Sequence, residues 1–264
     1  MLRALMSGFM QWVKNGSVQL CCEVRGHGSR HVLFAHGWIS SRRMWYEVVE
    51  QLDREQFTLH LFDFRGCGLS DRPRTPDDLA EYASDLRTVL ATIDAPVTLV
   101  GHSLGGRLAQ YVATERPANL ERLILVAPGT SKSVRFTPKR RAQAIETYGS
   151  RERIERFQRA AMYREVGPEI MERIVDDALV ASYEHWVGGE ERGRVDFSDR
   201  LAAINVPTLA IAGSNDPLAP PSRVKREVAG AIHDALFVLL HDAGHNLPIE
   251  TPDDIAEAVR RFAN

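Results

Sequence analysis

Short, continuously apolar segments alternate along the chain with longer segments of helical periodicity, and this alternation constrains the fold most. Because most of the short segments are continuous apolar runs rather than alternating ones, they are typical of strands buried on both faces of a sheet. In the segment 79–93 the apolar residues instead recur at helical spacing and form one stripe. The alternation predicts an α/β fold with a mostly parallel central sheet flanked by helices. The predicted strands are residues 18–24, 32–35, 57–62, 97–100, 123–126, 208–212 and 236–240.

The alternation stops after Ala127-Pro128-Gly129 and resumes at Val206-Pro207-Thr208. The residues between are rich in Arg and Glu and contain no β-like run, whereas helical periodicity recurs within them. We therefore expect residues 131–200 to form an inserted helical cap over the edge of the sheet. Residues 1–130 and 201–264 would form the core domain, because 264 residues suit one large core better than two equal ones.

Composition narrows the possible partners and the compartment. The chain has 33 Lys and Arg residues and 35 Asp and Glu residues, so its formal charge is −2. We therefore expect no electrostatic field strong enough to attract nucleic acid or an anionic membrane. No window approaches 18 uninterrupted apolar residues, so we expect no membrane-spanning helix. The N-terminal residues lack the pattern of a signal peptide. Three cysteines, Cys21, Cys22 and Cys67, cannot form a fully paired framework, which favours the reducing cytoplasm.

One pentapeptide carries the pattern of a serine nucleophile. Gly101-His102-Ser103-Leu104-Gly105 fits G-x-S-x-G, with a buried-strand pattern before it and a helical pattern at residues 108–116 after it. A sharp strand-to-helix turn needs glycines beside the serine, because side chains there would clash. Ser103 would then project from the end of the strand at a helix N-terminus, which favours a developing oxyanion.

With these motifs the chain resembles an α/β-hydrolase-fold serine hydrolase from about residue 18 to residue 262. The segment 36–38, His-Gly-Trp, follows an early strand as the oxyanion loop of that family does. The segment 63–71 resembles the family's D-x-R-G-x-G-x-S-D turn. Asp216 and His245 follow the last two strands, and the order Ser, Asp, His is the one that this fold uses. Epoxide hydrolases and dehalogenases of the fold carry Asp at the elbow, so Ser103 argues against both.

A serine hydroxyl needs a base within hydrogen-bond reach, and a carboxylate to hold that base in the right tautomer. His245 lies just beyond the last strand at the same sheet edge as Ser103, so we predict that it is the base. Asp216 follows strand 208–212 and is the predicted acid. Asp242 and Glu250 flank His245 closely in sequence and are expected to be solvated loop or helix-start residues.

Seven of the other eight histidines are assigned roles other than that of the base. His102 adjoins Ser103, so its side chain should point away from the nucleophile and pack. His36 is interpreted as a structural member of the oxyanion loop. Five others are expected at the surface or at strand ends: His27, His31, His60, His233 and His241.

The resemblance also implies an oxyanion hole built from two backbone N–H groups, those of Leu104 and Trp38. The Trp38 indole could be a wall of the acyl pocket or packing for the loop, and both interpretations stay open. Asp63 and Arg65 belong to the family-like turn, and we expect a structural ion pair rather than catalysis from them. No metal-ligand cluster, dinucleotide fingerprint or phosphate loop occurs, so neither a metal nor a cofactor is implied.

Substrate choice should lie in the cap, where Tyr183 and Trp186 cluster before the Gly188-Gly189 pair and are predicted to line the substrate pocket. The leading hypothesis is a cytoplasmic hydrolase of a small-molecule carboxylic ester that acts through an acyl-enzyme. The same triad would support hydrolysis of thioesters, lactones or carbon–carbon bonds, and cofactor-free perhydrolysis. A ligand receptor of this fold with little turnover is a further alternative. Oligomeric state is left open.

Overall fold

The computed structural model describes residues 8–74, 78–135 and 137–263, and these residues form an eight-stranded sheet with helices on both faces. The expected absence of a signal peptide concerns in part residues 1–7, which lie outside the described residues. The strands are β1 (Phe9–Asn15), β2 (Val18–Arg25), β3 (Arg30–Ala35), β4 (Phe57–Phe62), β5 (Val97–His102), β6 (Leu120–Val126), β7 (Thr208–Gly213) and β8 (Leu236–Leu240).

Strand order across the sheet is β1-β2-β4-β3-β5-β6-β7-β8. β2 pairs antiparallel with both β1 and β4, whereas every pairing from β4 to β8 is parallel. The carboxyl ends of β3, β5, β7 and β8 consequently lie along one edge, which is where open α/β sheets bind ligands. The predicted mostly parallel α/β sheet is confirmed.

Side chains before several helices cap the free N–H groups of the first helical turn. The Asp78 carboxylate accepts a hydrogen bond from the N–H of Glu81, and the Thr137 hydroxyl accepts one from Arg140. Within the described ranges, no helix is both long and apolar enough to cross a membrane. The α-helices are α1 (Tyr46–Val49), α2 (Leu79–Ala91), α3 (Leu104–Ala113), α4 (Pro138–Thr147), α5 (Arg151–Ala161), α6 (Pro168–Val180), α7 (Tyr183–Val187), α8 (Gly189–Arg194), α9 (Pro221–Glu227), α10 (Leu247–Glu250) and α11 (Pro252–Phe262).

Alternate residues of each central strand belong to two buried clusters, one on each face of the sheet. On β3, Leu33 and Ala35 belong to the cluster that contains the apolar stripe of α2, while Val32 and Phe34 belong to the cluster that contains α11. Each fully buried aliphatic or aromatic side chain of this kind contributes about 1.5–3 kcal/mol. Because helices cover both faces, the central strands are buried and mostly apolar, with polar residues such as Thr58 and Thr98 among them.

The helices α4 to α8 lie in the chain between β6 and β7, inside the segment expected to form a cap. Their buried side chains, among them Ile154, Ile174 and Trp186, belong to the same apolar cluster as Phe34 of β3 and Ile211 of β7. The inserted helices therefore share a core with the sheet.

Strand β1 is an element that the sequence analysis did not predict. Its Val13 is buried, but Phe9, Met10 and Trp12 are exposed. The strand lies at the edge of the sheet, and within the part of the chain that the structure describes it pairs only with β2. It therefore lacks the continuous apolar run on which the other strand predictions depend.

Candidate active site

Ser103 lies at the sharp turn between β5 and α3, at the carboxyl edge of the sheet. Its φ of 50° and ψ of −110° are strained values for a residue with a side chain. A Cβ atom on Gly101 would lie 2.6 Å from the carbonyl oxygen of Gly105, and one on Gly105 would lie 2.3 Å from that of Ala35. The two glycines of the motif therefore leave room for the backbone to close the turn that presents Ser103.

The three residues predicted to act together lie in one hydrogen-bonded chain. His245 Nε2 lies 2.9 Å from Ser103 Oγ, and His245 Nδ1 lies 2.8 Å from Asp216 Oδ2. These side chains come from the loops after β5, β7 and β8, whose carboxyl ends share the same sheet edge. Because a carboxylate only accepts hydrogen bonds, Nδ1 carries the proton and Nε2 is free to accept the proton of Ser103.

The Asp216 carboxylate is buried and held by several donors. Its Oδ1 accepts hydrogen bonds of 2.8 Å from the backbone N–H groups of Leu218 and Ala219. Burial alone would raise the pKa of Asp216, but the hydrogen bonds from His245, Ala219 and Leu218 outweigh it and lower the pKa below its usual value. Asp216 therefore stays ionised beside His245.

His102 points away from Ser103 and supports the backbone of His245. Its Nε2 lies 2.9 Å from the carbonyl oxygen of His245, so Nε2 carries the proton and donates. The Nδ1 atom is buried without a hydrogen-bond partner, 2.7 Å from where a Cβ of Gly37 would lie. Burial and the adjacent His245 lower the pKa of His102 to about 3, so its ring is neutral.

His36 fixes the peptide unit that carries the Trp38 N–H. Its Nε2 accepts a hydrogen bond from the Phe64 N–H at 3.0 Å, so its Nδ1 is protonated and donates to the Gly37 carbonyl oxygen at 2.8 Å. In a trans peptide the N–H points opposite to the C=O. The bond from His36 to Gly37 therefore sets the direction of the Trp38 N–H. Burial lowers the pKa of His36 and keeps it neutral.

The other predicted oxyanion donor, the Leu104 N–H, belongs to the first residue of α3. The first N–H groups of an α-helix have no intrahelical acceptor, and the helix dipole adds positive potential there. Leu104 directly follows Ser103 in the turn, so its N–H is available beside the Ser103 side chain.

Asp63 and Arg65 form ion pairs, but not with each other. Asp63 Oδ2 lies 2.6 Å from Arg42 Nη1, and Asp63 also accepts hydrogen bonds from the N–H groups of Arg42 and Leu69. Arg65 binds Asp85 through two bonds of 2.8 Å. Both pairs are buried and hold the turn after β4, so the expected single pair is corrected to two separate ones.

Glu250, expected to be a solvated or helix-start residue, is buried and organises the loop that carries His245. Its Oε2 accepts hydrogen bonds from the N–H groups of Gly244, Tyr163 and Arg164, and its Oε1 accepts one from the Asn246 N–H. One carboxylate therefore joins the chain on both sides of His245 to the residues that follow the inserted helix α5.

A cavity with an empty volume of about 500 Å³, including the solvent at its mouth, opens over Ser103 and His245. Most of its other side chains are apolar, while Gln158 and Asn246 add polar groups and hydrogen-bond to each other at 3.1 Å. The sequence signal for Asn246 and Leu218 is their position beside the predicted His245 and Asp216. The lining residues are Trp38, Ile39, Ser40, Met44, His102, Ser103, Phe157, Gln158, Ala161, Ile174, Leu218, His245, Asn246 and Ile249.

Neither Tyr183 nor Trp186 lines this cavity, so the expected pocket wall is reassigned. Trp186 is 1% exposed and donates its indole N–H to the Ala178 carbonyl oxygen at 3.1 Å, as a core residue of the cap. Tyr183 is 42% exposed and packs on Tyr148. Helix α5 supplies cap side chains of the wall instead, including Phe157.

Trp38 serves both roles that were left open for its side chain. The indole lines the cavity and contacts Phe157 edge-on, with ring centroids 5.9 Å apart. It also packs the loop, because its Nε1 donates to the His185 carbonyl oxygen at 3.0 Å. His185, for which the sequence analysis assigned no role, thereby contacts the loop from the cap.

Comparison with known proteins agrees with this fold. Residues 32–258 match the sequence profile of the alpha/beta hydrolase family. The chain is 30% identical over 259 residues to AB hydrolase superfamily protein YisY of Bacillus subtilis (strain 168), covering 94% of this chain and 96% of that protein. It is 28% identical over 260 residues to the pimeloyl-(acyl-carrier protein) methyl ester esterase of Pectobacterium atrosepticum, covering 91% and 97%.

A solved structure shares the fold across the whole chain. The enol-lactonase from Burkholderia xenovorans LB400 matches with a TM-score of 0.85 at 24% identity, covering 96% of this chain and 99% of that one. The chain belongs to the alpha/beta hydrolase family, which confirms the resemblance carried by its motifs. It is an enzyme of the hydrolase class.

Proposed function

We propose that the protein hydrolyses a carboxylic ester of a small molecule through an acyl-enzyme formed on Ser103. The observation that carries this proposal is the hydrogen-bonded chain from Ser103 Oγ through His245 to Asp216, at 2.9 and 2.8 Å. A hydroxyl bonded to a neutral imidazole whose second nitrogen donates to a buried carboxylate is activated as a nucleophile at neutral pH.

In the first half of the reaction, His245 Nε2 takes the proton of Ser103 as Oγ attacks the ester carbonyl carbon. The tetrahedral intermediate collapses when His245 returns that proton to the alkoxy oxygen, so the alcohol leaves and the acyl group stays on Ser103. Water then attacks the acyl-enzyme with His245 again as base, which releases the carboxylic acid and restores Ser103. Asp216 holds the His245 tautomer throughout and stabilises the imidazolium.

The negative charge of each intermediate would fall near the N–H groups of Leu104 and Trp38. The Leu104 N–H belongs to the first residue of α3, and His36 directs the Trp38 N–H through the Gly37 carbonyl. Donors held in place before the reaction stabilise the transition state without reorganisation, and each is worth about 2.7–4 kcal/mol in kcat. Two fixed backbone donors therefore suit acyl transfer.

The cavity favours an apolar acyl group. Met44, Phe157, Ile174 and Ile249 line it, and an apolar wall contributes about 25 cal/mol for each Å² of substrate surface that it covers. The relative from Pectobacterium atrosepticum is named as a methyl ester esterase, which supports an ester with a small alcohol group. Thioesters, lactones, carbon–carbon bonds and perhydrolysis would use the same three side chains.

Steady-state turnover of a panel of esters, thioesters and lactones with graded acyl chains tests this proposal. Ester hydrolysis with repeated turnover, lost by roughly 10⁶-fold in Ser103→Ala, is the expected result. Ser133→Ala, which changes an exposed serine outside the cavity, is the matched control and should retain full activity. A single turnover followed by arrest would instead indicate a ligand receptor, and unchanged activity in Ser103→Ala would contradict the proposal.

A further inference from the structure

We propose that His185, in the cap, is a positioning residue that holds the oxyanion loop so that the Trp38 N–H faces the reacting carbonyl. This inference rests on the proposed function of Ser103. It also adds a role to the cap, which was expected to select the substrate.

His185 makes two hydrogen bonds with the oxyanion loop, one with the backbone N–H that follows Trp38 and one with the Trp38 side chain. Its Nε2 accepts a hydrogen bond from the Ile39 N–H at 3.1 Å, and its own carbonyl oxygen accepts one from the Trp38 indole at 3.0 Å. The first contact fixes the peptide unit after Trp38, and the second fixes the Trp38 side chain. Together with the bond from His36 to Gly37, successive peptide units of the loop are held by buried imidazoles.

The tautomer of His185 follows from its partners. A backbone N–H can only donate, so Nε2 is unprotonated and Nδ1 carries the hydrogen toward the Tyr82 hydroxyl, 2.6 Å away. The ring is fully buried. Burial, with Arg192 and His36 nearby, holds the pKa of His185 well below its usual value, so the acceptor at Nε2 persists at neutral pH.

The loop needs such support because Ile39 has a φ of 48°, in the left-handed region. A β-branched residue reaches that region only at a cost, so the conformation persists where the surroundings over-determine it. The acceptor on His185 lies at the strained residue itself. Without it, Ile39 would be free to return to ordinary backbone angles and turn the neighbouring Trp38 peptide.

The structure also holds His185 firmly. The Ser182 N–H donates to the Gly66 carbonyl oxygen at 2.7 Å, and the Ser182 hydroxyl accepts from the His185 N–H at 3.2 Å. Helix α7 is therefore tied to the turn after β4, and Tyr82 of α2 holds the ring from the other side. A rigid support of this kind can transmit the position of the cap to the loop.

Three substitutions of His185 distinguish the contribution of Nε2 from that of Nδ1. His185→Gln places an amide near the position of Nε2 and keeps an acceptor for Ile39, whereas His185→Asn reaches only the position of Nδ1 and keeps the Tyr82 contact. His185→Ala removes both. Val259→Ala, a buried change in α11, is the control for lost stability alone.

For a short-chain aryl ester we expect His185→Asn and His185→Ala to lower kcat about 10–100-fold with KM changed less than about twofold, because a misplaced group can cost about 10²-fold. His185→Gln should recover to within about threefold of the parent. Hydrogen exchange should show the Ile39 amide losing protection in the Asn and Ala variants only, independently of catalysis. The thermal unfolding of each variant and of Val259→Ala provides the reference for stability.

Equal kcat in all variants, or an Asn variant as active as the Gln variant, would overturn the role of His185. A fall in kcat that merely follows the loss of stability, as in Val259→Ala, would overturn it too. These failures are distinct from failure of the proposed function, which Ser103→Ala tests on the same substrate.

Discussion

At the scale of single residues, several buried groups act on backbone segments beside the reacting atoms. His102 holds the His245 carbonyl, His36 holds the Gly37 carbonyl, and Glu250 holds N–H groups around His245. Each group can do so because burial or a fixed partner determines whether each of its polar atoms donates or accepts a hydrogen bond. The reacting side chains are thus positioned by their surroundings before any substrate binds.

Asp216→Asn tests the tautomer argument at this scale. The Asn oxygen can keep the bonds from Leu218 and Ala219, but its NH₂ group would face His245 Nδ1 and favour the tautomer protonated at Nε2. We expect kcat to fall about 10⁴-fold with little change in melting temperature. A variant with more than about a tenth of the parent kcat would show that Asp216 does not set the tautomer.

Residues inside local motifs could be predicted from the sequence, and residues defined by distant contacts could not. Ser103, Asp216 and His245 each follow a strand of the sheet, so their meeting at one edge follows from the fold class. His185 follows no strand, and its contacts with Ile39 and Tyr82 join residues more than 100 positions apart. Arg65 illustrates the same limit, because Asp85 is its partner only once α2 has packed.

At the scale of elements, the central strands were predicted and the edge strand β1 was not. The other edge strand, β8, was predicted from its apolar run, but it is not buried on both faces, because Leu236, Val238 and Leu239 are exposed. The cap helices were recognised as helices, but the face that each turns to the cavity depends on how they pack on the sheet. Phe157 of α5 reaches the cavity, whereas Trp186 of α7 enters the core. The sequence pattern of an amphipathic helix does not distinguish an aromatic residue that lines a cavity from one that packs in the core.

The assignment of the wall to α5 predicts a change in acyl selectivity. Phe157→Ala should lower kcat/KM for a long-chain ester about 10–100-fold, equivalent to about 1–3 kcal/mol of lost apolar cover, and affect an acetyl ester little. Tyr183→Ala, an aromatic truncation on the cap outside the cavity, should leave the ranking of chain lengths unchanged. Competition between long and short esters measures the ranking. A change of the ranking in the Tyr183 variant alone would contradict this assignment and indicate that α7 forms the wall.

At the scale of the whole molecule, burial leaves several histidines neutral in the folded state. One of them, His60, was expected at the surface or at a strand end but is buried within β4. Burial lowers the pKa of His60 to about 4 and that of His102 to about 3, and it also lowers those of His31, His36 and His185. As pH falls below 6.5, these histidines bind protons in the unfolded chain but not in the folded chain. The free energy of unfolding should therefore decrease as pH falls from about 6.5 toward 4.

His60→Gln tests this dependence away from the active site. The pKa of His60, lowered by burial and by the adjacent His31, should account for roughly 2–3 kcal/mol of the stability lost between pH 6.5 and pH 4, so the variant should lose less stability across that window. Chemical denaturation at several pH values measures the slope, and His233→Gln, at an exposed histidine, should leave it unchanged. Equal slopes in the parent and the His60 variant would contradict the account of buried neutral histidines.

The central claim is that Ser103 is the nucleophile of a covalent mechanism, and site-mapped labelling by a fluorophosphonate tests it most directly. After incubation with the reagent, digestion and mass spectrometry should locate one phosphonyl group on Ser103, with labelling abolished in Ser103→Ala and strongly slowed in His245→Ala. An adduct on any other residue, or labelling of the His245 variant at the parent rate, would contradict the account.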